Sequence, residues 1–272
     1  MIKVAKYSSL LQAIVFSLLL TSSITGFFAY QQARRIGYAW LNNRLMEYSV
    51  QKPIIVYASW NQLKDHDRMF FQDIVGGSLS EAQVFYNRYF LTYNLIHEAF
   101  HGLRALYGLC SITNGINELF YQEEAIVNIL AIAYWKEQSP DLVAKLESQL
   151  TSILSRLEDP TPKDSSPEKY ILEQMQMGDF DPRAYGYYQF SMVMDAINQN
   201  LSLEEALVTY LGNPHADAIE VDITLEDLVP RELPDHIVSH FLHKMTVMGY
   251  EVPAIRLVNQ YFPYIQFILV AY

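Results

Sequence analysis

The sequence of 272 residues contains a single cysteine, Cys110, so an internal disulfide is excluded. Positive charge is also scarce: 19 lysine and arginine residues face 30 aspartate and glutamate residues, and the formal net charge is −11. Because no basic patch is available to neutralise phosphates, the composition argues against a nucleic-acid partner. No internal repeat is visible, and a solenoid is therefore not indicated.

The N-terminal region lacks charge altogether between Ser8 and Tyr30. A run of ~20 such residues is long enough to cross a bilayer as a helix. Lys3 and Lys6 precede the run, as in a secretory signal, but no good cleavage site follows it. The pattern favours an uncleaved, single-pass signal anchor over residues 1–30, with a removed signal peptide as the alternative. Since a short N-terminal tail usually stays inside, we expect residues 31–272 to be extracytoplasmic.

One short motif carries most of the chemical information. His97-Glu98-Ala99-Phe100-His101 lies in a run, residues 88–109, that has the composition of a helix. Residues i and i+4 of a helix lie on the same face, so His97 and His101 can bind one metal ion. Glu98 is then placed to take a proton from a metal-bound water. The alternative is a helix with two hydrogen-bonded histidines and a surface glutamate.

A third metal ligand must come from elsewhere in the chain. The extended motif H-E-x-x-H-x-x-G-x-x-H is excluded, because Arg104 and Tyr107 stand where its glycine and third histidine would be. Downstream, a segment without Gly or Pro between Asn117 and Ser139 has the composition of a helix. Its candidate ligands are Glu118, Glu123 and Glu124. Neighbouring helical residues lie ~100° apart around the axis, so Glu123 and Glu124 cannot both point at one ion.

The segment Glu124-Ala125-Ile126-Val127-Asn128 resembles the second motif, Glu-Ala-Ile-x-Asp, of thermolysin and the wider gluzincin group of zinc peptidases. The detailed resemblance covers residues 91–134. It implies that Glu124 is the third ligand and that Asn128 stands in place of an Asp that accepts a hydrogen bond from a ligating imidazole. An Asn oxygen can still accept this bond but carries no charge. We therefore expect the orientation to be kept and some electrostatic tuning to be lost.

The resemblance also implies a zincin-like metallopeptidase domain over residues 31–272. Its cofactor would be Zn²⁺, held by His97, His101 and Glu124 with a fourth position left to water, and its substrate a peptide or protein. Glu98 would act as the general base and would then deliver the proton to the leaving amine. A membrane-tethered binding protein with a retained, non-catalytic metal site is the alternative. A di-iron bundle needs a second Glu-x-x-His unit, which the sequence lacks.

Charge that develops on the substrate oxygen during hydrolysis needs a hydrogen-bond donor. Tyr185 and Tyr188 are candidates, because their segment looks like the Tyr/Gly helix start that follows the zinc-binding Glu in many gluzincins. His236, His240 and His243 fall on one face of another predicted helix, and His240 is the third candidate. A half-buried polar stripe without a catalytic role is the alternative for these histidines.

The remaining sequence predicts a mainly α fold with a small β element. Residues 53–58 are the best strand candidate, and in zincins a strand beside the metal helix commonly binds the extended substrate. Residues 158–168 hold three prolines and mark a loop that is a possible boundary between two lobes. Ser202 and Glu205 predict a capping box at a helix start. Further helices are predicted at residues 31–48, 78–87, 141–156, 168–177, 185–200 and 235–248, with a short one inside the terminal segment 257–272.

Overall fold

The computed structural model describes residues 46–49, 54–110, 119–177, 182–216 and 234–259. The predicted membrane anchor at residues 1–30 and the competing ligand Glu118 lie outside these described residues. Residues 260–272, which make up most of the predicted C-terminal segment, also lie outside the described residues. Within the described ranges, no helix is both long enough and apolar enough to cross a bilayer.

The described chain is mainly α-helical, and this prediction is confirmed. Its helices are α1 (Asp65–Val75), α2 (Leu79–Arg88), α3 (Asn94–Leu106), α4 (Phe120–Gln138), α5 (Pro140–Leu154), α6 (Pro167–Met177), α7 (Pro182–Gln199), α8 (Leu203–Leu211) and α9 (Pro234–Val247). A 3-10 turn, Trp60–Gln62, precedes α1, and a π-helical turn, Tyr89–Tyr93, joins α2 directly to α3. The helix α1 has no counterpart among the sequence-based predictions.

Serine residues begin two of these helices. At α8, Ser202 Oγ accepts a hydrogen bond from the Glu205 backbone N–H at 3.2 Å, and the Glu205 carboxylate accepts one from the Ser202 N–H at 2.9 Å. Ser78 and Glu81 form the same reciprocal pair at the start of α2. These bonds satisfy backbone donors that a helix start otherwise leaves open. The predicted capping box at Ser202 is therefore confirmed.

Within the described residues, three short strands form a sheet in the order β1 (Met46–Ser49), β2 (Ile54–Tyr57) and β3 (Arg256–Asn259). The middle strand, β2, is antiparallel to β1 and parallel to β3, and it falls on the predicted strand. The helix predicted at residues 31–48 is wrong where it overlaps β1, and the terminal segment 257–272 begins as the strand β3. Pairing with the Ile/Val-rich β2 decides the conformation there, because strand formation depends on tertiary context more than on local propensity.

The central position of β2 bears on the expected role of this strand in substrate binding. Both backbone edges of β2 are already paired within the sheet. An extended peptide adds only to an open strand edge. It would therefore have to pair with an outer strand such as β1, which packs against α3.

Helix α4 forms the centre of the molecule. Its consecutive residues Ile129, Leu130, Ala131 and Ile132 are all buried, and a rotation of ~100° per residue places their side chains all around the helix. A helix that is apolar all round must be covered on all sides, and α4 packs against α3, α5, α7 and α8. The same core includes residues that precede and follow the loop at 158–168. The N-terminal part of α4 is thereby held against α3, which carries the histidine motif.

Candidate metal centre

Helix α3 presents its two motif histidines on one buried face. His97 and His101 are each 3% exposed, and their Nε2 atoms lie 3.2 Å apart. Tyr93 and Tyr89 extend this row of rings toward the N-terminus at the same spacing of four residues, and their ring centroids are 5.5 Å apart. Four residues of an α-helix overshoot a full turn by ~40°. The π-helical turn Tyr89–Tyr93 winds more slowly and keeps the row aligned.

Helix α4 places Glu124 opposite the two histidines. Its Oε2 atom lies 3.3 Å from His97 Nε2, and its Oε1 atom lies 3.4 Å from His101 Nε2. All three side chains are buried, and together they form a group that could hold a metal ion. The structure thus brings together the three residues that the sequence analysis selected as ligands.

A hydrogen-bonded amide fixes which nitrogen of His97 faces this group. Asn128 Nδ2 donates to the Glu124 backbone carbonyl at 2.9 Å, and this bond orients the amide. Asn128 Oδ1 therefore faces His97 Nδ1 at 3.1 Å, and it also accepts a 2.6 Å hydrogen bond from the Tyr93 hydroxyl. Because an amide oxygen can only accept, Nδ1 carries the proton and His97 Nε2 offers a lone pair.

Glu123 lies behind His101 rather than in front of it. Its carboxylate accepts two hydrogen bonds from Arg104, Nε to Oε1 and Nη2 to Oε2, both of 2.9 Å. Oε1 also lies 3.5 Å from His101 Nδ1, which is long for a hydrogen bond. With this acceptor behind the ring, His101 Nε2 is the nitrogen that faces Glu124. The structure therefore favours Glu124 over Glu123 as the third ligand.

A second buried group, His101, Cys110 and Glu123, also has residue types that bind metals. Here both oxygens of Glu123 already accept from the guanidinium of Arg104. The positive charge of Arg104 repels a cation at this position, and its two hydrogen bonds occupy one lone pair on each oxygen of Glu123. This second group therefore suits the orientation of His101 better than the binding of another ion.

The electrostatics of the three-residue group match its geometry. Burial alone would raise the pKa of Glu124, but His101 and His97 hold that pKa well below its usual range. Burial alone would lower the pKa of His101, yet its interactions with Glu124, Cys110 and Glu123 raise it well above the ordinary value. A carboxylate that faces two ring nitrogens needs a positive charge between them. Either a proton or a metal ion can supply that charge.

The spacing of the ligand atoms fits a tetrahedral zinc site. Bonds of ~2.0–2.1 Å at tetrahedral angles place neighbouring ligand atoms about 3.3–3.4 Å apart. The separations in this group are 3.2 Å between the two Nε2 atoms, 3.3 Å from His97 Nε2 to Glu124 Oε2 and 3.4 Å from His101 Nε2 to Glu124 Oε1, so the two distances to Glu124 end at different oxygens. Three protein ligands of the types His, His and Glu are also the set found in catalytic zinc sites, which leave one position open. The residues present therefore fit Zn²⁺.

Glu98 follows His97 on α3 and is half-buried. Its Oε1 atom accepts a 3.2 Å hydrogen bond from Asn94 Nδ2. Burial raises the pKa of Tyr89, and the charges of Glu124 and Glu98 raise it further. Glu98 is thus the sequence neighbour of His97 and does not belong to the three-residue group.

The three residues predicted to stabilise the transition state have different surroundings. Tyr188 is buried, and its hydroxyl lies 2.8 Å from Thr161 Oγ1. Burial is the main cause that raises the pKa of Tyr188 to about 12. His240 is also buried, with Nδ1 2.6 Å from the Tyr134 hydroxyl. Tyr185 belongs to α7, and its side chain is outside the described part of the structure. The role of all three as donors stays a prediction.

Sequence reasoning missed Gln189, although it singled out the segment that contains it. Gln189 Nε2 donates a 2.8 Å hydrogen bond to Glu124 Oε2, across 65 positions of the sequence. Only the packing of α7 on α4 reveals such a contact. Tyr93 was also missed, but its position four residues before His97 is a signal that could have found it.

Comparisons with protein-family models, with curated proteins and with solved structures each find no match to this chain. No family is identified by these comparisons. The resemblance to gluzincins rests on the two short motifs, and the structure shows a buried group of His97, His101 and Glu124 that could bind a metal ion.

Proposed function

We propose that this chain is a zinc-dependent peptidase of the gluzincin type. The observation that carries the proposal is the convergence of His97 Nε2, His101 Nε2 and the Glu124 carboxylate, 3.2 to 3.4 Å from one another. This arrangement provides three ligands and leaves a coordination position open, as hydrolytic zinc sites do.

Zinc bound by these residues would supply a Lewis acid, which lowers the pKa of water to ~7 and polarises a carbonyl group. Glu98 would take a proton from the attacking water and pass it to the departing amine. Asn94 orients Glu98 for this transfer through the hydrogen bond to Oε1. A binding protein with a structural metal site has no need of a carboxylate held in this position, so Glu98 favours the hydrolytic alternative.

Two parts of the proposal rest on sequence alone. The uncharged run within residues 1–30 supports attachment to a membrane, with residues 31–272 outside the cytoplasm. The resemblance to peptidases, and the absence of a basic patch, support a peptide or protein as the substrate.

Peptide cleavage by the full chain, purified in detergent, tests this function. A library of quenched fluorescent peptides is incubated with zinc-loaded protein, with chelator-treated protein and with treated protein to which zinc is returned. We expect cleavage that disappears with the chelator and returns with zinc. A fully zinc-loaded, folded protein that cleaves no peptide would contradict the peptidase and favour the binding protein.

A further inference from the structure

Two side-chain amides connect the ligand Glu124 to the ligand His97. Gln189 Nε2 donates to Glu124 Oε2 at 2.8 Å. Gln189 Oε1 lies 3.5 Å from Asn128 Nδ2, the longest contact of the series. Asn128 Oδ1 in turn lies 3.1 Å from His97 Nδ1. The chain of contacts thus starts at one ligand and ends at another.

The orientation of both amides is determined by their partners. An ionised carboxylate only accepts hydrogen bonds, so the NH₂ group of Gln189 must face Glu124. The backbone carbonyl of Glu124 likewise requires the NH₂ group of Asn128, which donates to it at 2.9 Å. Gln189 is 7% exposed and Asn128 is fully buried. Since water does not replace a lost partner at such positions, each hydrogen bond matters for the geometry.

We propose that Gln189 is a positioning residue for Glu124 and that it acts as a pair with Asn128. This inference rests on the zinc site of the proposed function, although not on peptide hydrolysis. By holding Oε2, Gln189 would limit the approach of a second carboxylate oxygen to zinc. A carboxylate that binds through one oxygen keeps a position on the ion open for water or substrate.

The pairing of Gln189 with Asn128 also gives a reason for an amide at position 128. An aspartate there could accept from His97, but it could not donate to Gln189 Oε1 or to the Glu124 backbone carbonyl. It would also add a further carboxylate beside Glu124. In this chain the amide is therefore the required group, and Asn128→Asp should weaken metal binding rather than restore it.

The zinc dissociation constant of the full chain in detergent, measured by competition with a chromophoric chelator, tests the pair. Gln189→Leu keeps the bulk but removes the donor, while Gln189→Glu keeps the shape and replaces the donor with a carboxylate. We expect Gln189→Leu to weaken zinc binding by about 10–100-fold, as for other residues that support a metal ligand. Gln189→Glu should weaken it at least as much, whereas a purely packing role predicts that Glu is the milder change.

Two controls separate positioning from folding. Val193 is fully buried on the same helix, and Val193→Ala should lower stability without changing zinc affinity. Melting curves of the metal-free variants show whether each one folds, and Gln189→Glu remains informative if Gln189→Leu does not. Asn128→Asp combined with Gln189→Leu should weaken binding by less than the product of the single effects, because both changes break one pair.

Cobalt(II) in place of zinc gives a second readout, because the intensity of its visible absorption reports the coordination number. We expect weaker bands in Gln189→Leu, as the second oxygen of Glu124 becomes able to coordinate. Wild-type affinity in Gln189→Leu, or tighter binding by Asn128→Asp, overturns this inference and leaves the zinc site standing. Absence of zinc binding by the wild type overturns the site and the inference together.

Discussion

Asn128 Oδ1 lies 3.1 Å from His97 Nδ1 and accepts its hydrogen bond. The group behind His101 is different: the carboxylate of Glu123 lies 3.5 Å from Nδ1, too far for a normal hydrogen bond, and is itself paired with Arg104. His97 is thus oriented by a neutral amide, whereas His101 lies beside a buried ion pair. In both residues it is Nε2 that faces Glu124.

Glu98→Gln should keep zinc and lose hydrolysis, because Glu98 is not one of the three ligands. Removal of a general base typically lowers turnover by about 10²–10⁴-fold. Zinc content and peptide cleavage are measured on the same preparation. Loss of zinc from this variant would show that Glu98 is a ligand and would contradict the division of roles.

Arg104→Met should destabilise the fold, because it leaves the Glu123 carboxylate buried without its bidentate partner. Breaking one side of a buried ion pair costs about 3–5 kcal/mol. The free energy of unfolding is obtained from urea titration, with Arg104→Met/Glu123→Gln as the matched control that removes the charge as well. We expect the double variant to regain part of the stability. Equal stability of Arg104→Met and wild type would argue against the pair.

His240→Ala should lower the free energy of unfolding. His240 is fully buried, and its loss leaves the Tyr134 hydroxyl without the 2.6 Å contact to Nδ1. An unsatisfied buried polar group costs about 1–3 kcal/mol. Unfolding and the rate of peptide cleavage per zinc-loaded molecule are both measured. A rate reduced by orders of magnitude in the folded variant would instead support His240 as a transition-state donor.

Zinc should raise the melting temperature of the wild type but not of His101→Ala. A ligand that binds only the folded state stabilises it by ~2.7 kcal/mol when its concentration is 100 times the dissociation constant. Thermal melts with added zinc and with excess chelator measure this difference. The same zinc-dependent shift in both proteins would mean that the metal binds elsewhere.

Local patterns predicted the part of the site that lies on single helices. The i, i+4 spacing of His97 and His101 required only the period of an α-helix, whereas the resemblance to the gluzincin motif selected Glu124. The capping box of Ser202 with Glu205 is likewise a short-range signal, since its hydrogen bonds span three residues.

Long-range packing determined the part that was missed. Gln189 reaches Glu124 only because α7 packs on α4. Strand β1 (Met46–Ser49) forms by pairing with β2, although its local sequence suggested the end of a helix. No periodicity within a short window encodes such contacts, because the partner that decides the conformation is distant in the sequence.

Zinc content of the purified full chain, measured by elemental analysis beside Glu124→Ala, tests the central claim most directly. Glu124 contributes the carboxylate that faces both histidines. We predict one zinc ion per wild-type chain and a clear reduction in the variant, with both proteins folded. A folded wild-type protein without zinc, or a variant that retains it fully, would contradict the site of His97, His101 and Glu124.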